Sequence, residues 1–289
     1  MKKLLKSSFL GLCPGCSIEN YSQLIRDNLQ FMKDAGFDSA GISLRVLATK
    51  PSTEWQPIIE QALQDAAELE IPIIDCHLPF FGEKLNLDPA FAEIGVKQIY
   101  AGIDMAKVLG VKHSVLHPNA YTVAVRNFDE QKTYDQVMAH LSPIAEYAAT
   151  LGVGIAIENT RLVPGILQSH RYCQGPEELC KVADALGFSV CWDFGHANIA
   201  GFKQSEALAY IGKRLKAVHV NDNNGANDDH TAPFMGNVNW VDAMHGLALA
   251  EFEGPLNYEL TTSRVPATLR KDYAKFLVTI ADQLMEYIV

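Results

Sequence analysis

Leu151-Gly152-Val153-Gly154-Ile155-Ala156-Ile157-Glu158-Asn159 contains the unit from which the rest of the chain can be read. Ahead of it, residues 130–150 are amphipathic, and Gly152 stands where a left-handed C-cap would stop a helix. Behind the glycine comes a short apolar, β-branched run, 153–157, that ends on a carboxylate. The same alternation continues in both directions. Apolar runs fall at 9–12, 39–44, 71–76, 114–116, 153–157, 189–192, 217–220 and 255–258. Helical stretches accompany them at about 18–35, 55–70, 88–109, 130–150, 176–186, 204–213, 239–249 and 267–288. Ile99, Ile103, Ala106 and Val108-Leu109 show the periodic spacing, and Gly36, Gly110 and Gly187 repeat the terminating role of Gly152. Eight strand–helix units without a low-complexity linker predict a single (β/α)8 TIM barrel, one domain over residues 1–289. A doubly wound open sheet is the competing α/β arrangement, but no Gly-x-Gly-x-x-Gly follows the first strand.

Composition agrees with that architecture. Of 289 residues, 48% are hydrophobic and 20% charged, enough for a large core and too apolar for disorder. A mean hydropathy of +0.01, with no run of eighteen apolar residues, excludes a transmembrane helix, so no membrane partner is expected. The net charge of −10 weighs against nucleic acid as a partner, although a local basic groove is compatible with it. Met1 to Lys6 imitates the charged start of a signal peptide, but the apolar stretch that follows is short and broken by Gly11. A first β-strand and a cytoplasmic location explain it better. The six cysteines, three of them (Cys76, Cys180, Cys191) in apolar stretches, read as reduced thiols. Cys13-Pro14-Gly15-Cys16 has redox or metal spacing, but it lacks a second pair and reads as a strand exit.

The functional signal is positional. Six apolar runs end on a residue able to ligate a metal: His77, His117, Glu158, Asp193, His219 and Glu259. Their separations of 40, 41, 35, 26 and 40 residues each approximate one strand–helix unit. In a barrel these positions converge on the mouth formed by the C-terminal strand ends. His196 lies one turn beyond Asp193, and Asp228 and His230 close a Gly- and Asn-rich loop, which makes nine candidates. Four unpaired ionisable groups at neighbouring strand ends would cost several kcal/mol each without a shared cation. Glu158, Asp193, His219 and Glu259 are therefore the expected centre, for Mn2+, Mg2+, Co2+ or Zn2+. The outer five, His77, His117, His196, Asp228 and His230, are expected to bind further metal or substrate. His113, His140, His170 and His245 read as core or surface residues. Phe80, Phe81, Trp192 and Phe234 are candidates for an apolar wall over a sugar ring, or for mouth packing. Arg45, Arg161 and Arg264 are the cations expected nearest the mouth.

At these residues the sequence resembles the xylose isomerase-like barrel superfamily, which includes sugar isomerases and epimerases, inosose dehydratase-like lyases and the endonuclease IV family. The specific pieces are Ile157-Glu158-Asn159, Trp192-Asp193-x-x-His196, Val218-His219-Val220-Asn221-Asp222, Asp228-x-His230 and Tyr258-Glu259-Leu260. The resemblance implies that Glu158, Asp193, His219 and Glu259 are the shared metal ligands. In the isomerase branch it makes His196 a substrate contact. All nine positions also match the residues that hold three zinc ions in endonuclease IV, and His77-Leu78-Pro79-Phe80-Phe81 resembles the loop which that family pushes into DNA. Against both branches, residues 231–236 lack the usual glycine–acid–glycine turn, and Gly41-Ile42-Ser43 replaces an acidic strand ending common among sugar-acting members.

Two functions follow as expectations. One is a metal-dependent isomerase or epimerase of a sugar, sugar phosphate or polyol, a small-molecule substrate. It would act by proton transfer through a metal-stabilised enediolate, with Glu158 and Glu259 as catalytic bases on opposite faces. No lysine accompanies Glu158-Asn159-Thr160-Arg161, which favours proton transfer over hydride shift. The other is an endonuclease IV-like multi-zinc phosphodiesterase acting on abasic DNA. The first is preferred on charge, and a homo-oligomer stays open in either case.

Overall fold

The computed structural model describes residues 3–11, 20–81, 89–119, 122–162 and 169–288, with the side chains of 89–91 left out. Eight parallel strands close into a barrel: β1 (Lys6–Phe9), β2 (Ser39–Ser43), β3 (Ile73–His77), β4 (His113–Leu116), β6 (Gly154–Glu158), β8 (Ser189–Asp193), β9 (Leu215–Val220) and β10 (Leu256–Tyr258). They follow one another around the wall in chain order, and β1 pairs with β10 to complete the ring. The outer helices are α1 (Tyr21–Ala35), α2 (Ser52–Glu68), α3 (Pro89–Leu109), α4 (Glu130–Leu151) and α5 (Pro176–Leu186). After them come α6 (Phe194–Ala200), α7 (Gln204–Ile211), α8 (Trp240–Leu249) and α9 (Arg270–Glu286). This is the predicted (β/α)8 barrel.

Helix boundaries follow local chemistry. Asn20 caps α1 by accepting from the Gln23 amide, and Asp129 caps α4 by accepting from the Lys132 amide. Gly36, Gly110, Gly152 and Gly187 all take positive φ, as their positions predicted. Inward stripes such as Ile25, Leu29 and Met32 on α1 seal the helices onto the barrel.

Three features depart from the sequence expectation. The first strand lies at Lys6–Phe9, upstream of the expected 9–12, because Ser7 and Ser8 are buried strand residues despite their hydroxyls. Ser7 pairs with both Ser39 and Asn257, a polar register that an apolar search misses. Leu12 and the Cys13–Cys16 motif lie outside the described residues. The two unexpected strands β5 (Thr122–Ala124) and β7 (Ser169–Arg171) form a small antiparallel sheet. Finally, α6 starts directly at the end of β8, with Asp193 as its cap.

Inside the barrel, side chains stack in layers set by the two-residue strand repeat. Val115, Ala156, Cys191 and Ala217 form a small cluster separate from the main core. Each lies two residues before a candidate ligand: His117, Glu158, Asp193 and His219 respectively. Asp75 and Asn257, two residues before His77 and Glu259, are joined by a 2.8 Å hydrogen bond donated by the Asn257 amide. An apolar floor with one polar pair thus underlies the ligand layer. Strand β2 adds space rather than a ligand, since a Cβ on Gly41 would approach the Phe9 ring at 2.9 Å. Phe9 fills that space and sets its edge against His219, ring centroids 5.3 Å apart.

Candidate metal centre

All nine predicted residues meet at the barrel mouth, in three donor clusters. Glu158, Asp193, His219 and Glu259 form the first, with one ligand atom of each lying within 4.8 Å of the others. His77 and His117 join Glu158 in the second, and His196, Asp228 and His230 make up the third. Glu158 is the hub. Its Oε2 lies 3.4 Å from His77 Nε2 and 3.1 Å from His117 Nε2. Its Oε1 lies 3.3 Å from His196 Nδ1 and from His219 Nδ1. Asp228 connects His196 and His230, at 3.6 and 3.2 Å.

Backbone carbonyls orient three of the imidazoles. The Nδ1–H groups of His77, His196 and His230 are placed to donate to the carbonyls of Leu78, Asn159 and Glu259, at 2.7, 2.9 and 2.8 Å. That arrangement fixes the tautomer and leaves each Nε2 lone pair for a cation. Asn159 clamps the end of β8 to β6 by accepting from the Asp193 amide at 2.7 Å and donating to its carbonyl at 3.1 Å. Asn221 donates to Asp193 Oδ2 at 2.6 Å, holding the carboxylate in place. Gly195 is required beside it, because any Cβ there would overlap Asn221 Oδ1. Asp222, fully buried, accepts from the amides of Phe234 and Val238 and from Trp240 Nε1. This carboxylate ties down the loop that presents Asp228 and His230.

Electrostatics describe a centre built for cations. Burial alone would raise the Glu158 carboxyl, but His117 and His219 outweigh it and hold the group well below the usual carboxylate range. Glu259 is likewise held down to about 2, its burial overcome by His219. Asp193 goes the other way, pushed up to about 6 chiefly by burial. Burial opposes protonation of His196, His219 and His230, yet the surrounding carboxylates raise His196 and His230, the latter to about 9, and Cys191 together with Glu158 and Glu259 raises His219. Both oxygens of Glu158, both ring nitrogens of His219 and Asp228 Oδ1 are buried without a hydrogen-bond partner among the described residues. Donors that crowd to between 3.0 and 3.4 Å without aligning on one another converge on a common point instead. The residues therefore fit a divalent cation.

Above the centre opens a cleft of about 330 Å3, lined by Phe9, Leu78, Phe80, Leu260 and the outer imidazoles, with Glu259 at its wall. Phe80 stacks on His117 with ring centroids 4.0 Å apart. Of the four expected wall aromatics only Phe80 lines the cleft. Trp192 is buried with its Nε1 on Gln204, Phe81 packs against the core, and Phe234 is 46% exposed beside Tyr287. Phe9 takes the wall position instead. Among the cations, Arg45 and Arg161 reach the cleft as expected, Arg264 does not, and Arg171 on β7 does. His140 pairs with Asn119, His170 with Glu178, His113 is half-buried and His245 exposed, all away from the centre.

The roles of Asn159, Asn221 and Asp222 escape a reading by residue type, since each acts on a neighbouring strand or loop. Asn159 directly after Glu158, and Asn221 and Asp222 just beyond His219-Val220, were the available signal.

The profile of the family described as xylose isomerase-like TIM barrel matches residues 29–280. The uncharacterized protein MJ1311 of Methanocaldococcus jannaschii is 26% identical over 230 residues, 78% of this chain and 75% of that protein. A protein of Bacillus licheniformis described as a probable endonuclease 4 is 28% identical over 178 residues, 57% of this chain and 56% of its own. Among solved structures, the D-psicose 3-epimerase of Clostridium cellulolyticum H10 with D-tagatose superimposes with a TM-score of 0.74. The two are 14% identical, and the match covers 98% of this chain and 99% of that one, a likeness of fold. Among the described residues no helix is long and apolar enough to cross a membrane.

Proposed function

The chain belongs to the xylose isomerase-like TIM barrel family, and from that premise we propose that it is a metal-dependent isomerase or epimerase acting on a sugar, sugar phosphate or polyol. One observation carries the reading: the Glu158, Asp193, His219 and Glu259 donor set adjoins a cleft of about 330 Å3, whose size suits one small molecule. Likeness in fold to an epimerase solved with a ketose supports it. A divalent ion (Mn2+, Mg2+, Co2+ or Zn2+) bound by those four residues supplies a Lewis acid that lowers the cost of enolising a carbonyl.

The chain's own groups do the rest. Glu259, 29% exposed and held ionised by His219, takes a proton from the sugar carbon beside the carbonyl. Glu158 stands three strands away round the ring, on β6 against β10, and returns to the other side a proton passed to it by His196, whose Nδ1 lies 3.3 Å from its Oε1. His196 holds a hydroxyl near the transfer. Phe9, Phe80, Leu78 and Leu260 pack the C–H face of the ring and keep water from the reacting carbon. Buried free thiols at Cys76, Cys173, Cys180 and Cys191 are in keeping with a reducing, cytoplasmic setting.

A second reading has its own support in the three donor clusters, two of which share Glu158, and in the likeness to a probable endonuclease 4. It is a multi-zinc phosphodiesterase acting on abasic DNA. Elemental analysis of protein purified without chelator separates the two when run beside an abasic-duplex incision assay. One tightly bound ion per chain and no incision supports the isomerase; three zinc ions with incision replaces it with the nuclease.

A further inference from the structure

His219 is built into the centre the other way round from its neighbours. His77, His196 and His230 each have a backbone carbonyl within 2.9 Å of Nδ1, which leaves Nε2 for an ion. In His219 it is Nδ1 that meets the acids, 3.0 Å from Glu259 Oε2 and 3.3 Å from Glu158 Oε1. Ring geometry then turns Nε2 away from the donor set. In the neutral imidazole that ligates through Nδ1, this nitrogen carries the proton. It is buried and has no backbone carbonyl to receive that proton among the described residues. A buried N–H without an acceptor costs about 1–3 kcal/mol, so the polar group nearest that side of the ring matters.

Ring stacking does not settle the orientation. Phe9 sets its edge against His219 and His77 stacks on it, with centroids 5.3 and 5.7 Å apart, and together they hold the plane of the ring. A half-turn about the Cβ–Cγ bond keeps that plane yet withdraws Nδ1 from Glu158 and Glu259. An acceptor for Nε2 distinguishes the two orientations.

The polar atom on hand is a sulfur. Cys191 Sγ, a Glu158 oxygen and a His219 ring nitrogen lie within 4.8 Å of one another. Cys191 belongs to the floor cluster with Val115, Ala156 and Ala217, and of these four only it has a heteroatom in its side chain. It precedes Asp193 by two residues on β8, about 6.6 Å lower along the strand, and a thiol reaches one bond past Cβ. The sulfur therefore lies beneath the donor set rather than in it. Asp75 holds the Asn257 amide with one oxygen, at 2.8 Å, and belongs to none of the compact donor groups among the described residues. Cys191 takes no part in the proton transfer between Glu259 and Glu158.

We propose that Cys191 is a positioning residue for the metal centre: its sulfur accepts the Nε2–H of His219 when Nδ1 ligates the ion, and so selects the ring orientation and tautomer that binding needs. This inference rests on the metal-centre reading given above and not on which sugar is turned over.

Zinc titration against a competing chelator tests it on Cys191→Ala, Cys191→Val and Cys191→Ser, with melting of each metal-free protein as the check on folding. Loss of the outer partner of a ligating histidine weakens metal about ten- to a hundredfold, so the alanine and valine variants should lose affinity for the tightest ion by that factor. Serine keeps an acceptor and should recover most of it. Valine fills the volume without a lone pair, so it is the control for packing. Where alanine melts early, the valine and serine proteins carry the comparison. In the zinc-loaded wild type, imidazole NMR should also show a slowly exchanging Nε2–H on His219 that is lost to exchange in the valine protein. Wild-type zinc affinity in both the alanine and valine variants overturns the role, as does recovery by valine as full as by serine. A sulfur-to-metal charge-transfer band in the cobalt-loaded protein overturns it as well, by making Cys191 a ligand. Those results leave the metal centre standing. A wild-type chain that takes up no divalent ion removes the centre and this role with it.

Discussion

Glu158 touches four imidazoles and has no hydrogen-bond partner among the described residues, so a single carboxylate holds the three donor clusters together. Exchanging it for an amide keeps the volume and removes the charge. Glu158→Gln, and separately His219→Ala, should therefore empty the centre of metal and abolish activity while the barrel stays folded. Elemental analysis with circular dichroism checks this; full metal occupancy in both variants would remove these residues from the centre. Such ligands are legible from sequence because a charged group ending an apolar strand is costly and needs a partner. Asn159 is not legible in that way. Its amide clamps Asp193 only because β6 and β8 lie side by side, a fact of the closed ring. Trp192 misleads for the related reason that strand residues alternate: with Asp193 facing the mouth, its neighbour turns outward onto Gln204.

The element that most controls the outer cluster is the segment 222–240. It has little regular structure, and Asp222 takes the place of a strand or helix by accepting from the amides of Asn223, Phe234 and Val238 and from Trp240 Nε1 along it. Asp222→Ala should cost about 2–4 kcal/mol in urea melts, because buried donors are left unpaired. It should also loosen Asp228 and His230 while the four-residue centre persists. A variant with wild-type stability would contradict this role. Elements with apolar periodicity were readable within a few residues, and the glycine stops at Gly36, Gly110, Gly152 and Gly187 came out as predicted. The first strand was displaced because its inward faces carry serines, and β5 and β7 were missed because three-residue strands leave no periodic trace.

At the scale of the whole molecule, the barrel gathers at its mouth more imidazole and carboxylate than a metal-free protein can hold unprotonated. His230 is raised to about 9 and His196 and His219 well above the ordinary histidine value, so at neutral pH the empty centre carries protons on its ligands. A cation must displace them, because only a neutral imidazole ligates. Below these values protons compete with metal; above them they do not, so apparent affinity should rise as pH increases through neutrality toward about 9. Titration calorimetry in two buffers of different ionisation enthalpy should show release of about one proton or more per ion. Heat that does not depend on the buffer would count against it. Metal that binds only the folded barrel also stabilises it, by about 2.7 kcal/mol at a hundredfold excess over Kd. Chelation should therefore lower the melting temperature by several degrees.

In the proposed function this centre moves a proton on a sugar, between Glu259 and Glu158. Turnover of a panel of ketoses and ketose phosphates in D2O, followed by NMR, tests it most directly. The predicted result is deuterium at the carbon beside the carbonyl in the epimer or isomer formed, abolished by chelator and by Glu259→Gln. Product formed without any solvent deuterium, or formed at the wild-type rate by a metal-replete Glu259→Gln protein, would contradict it.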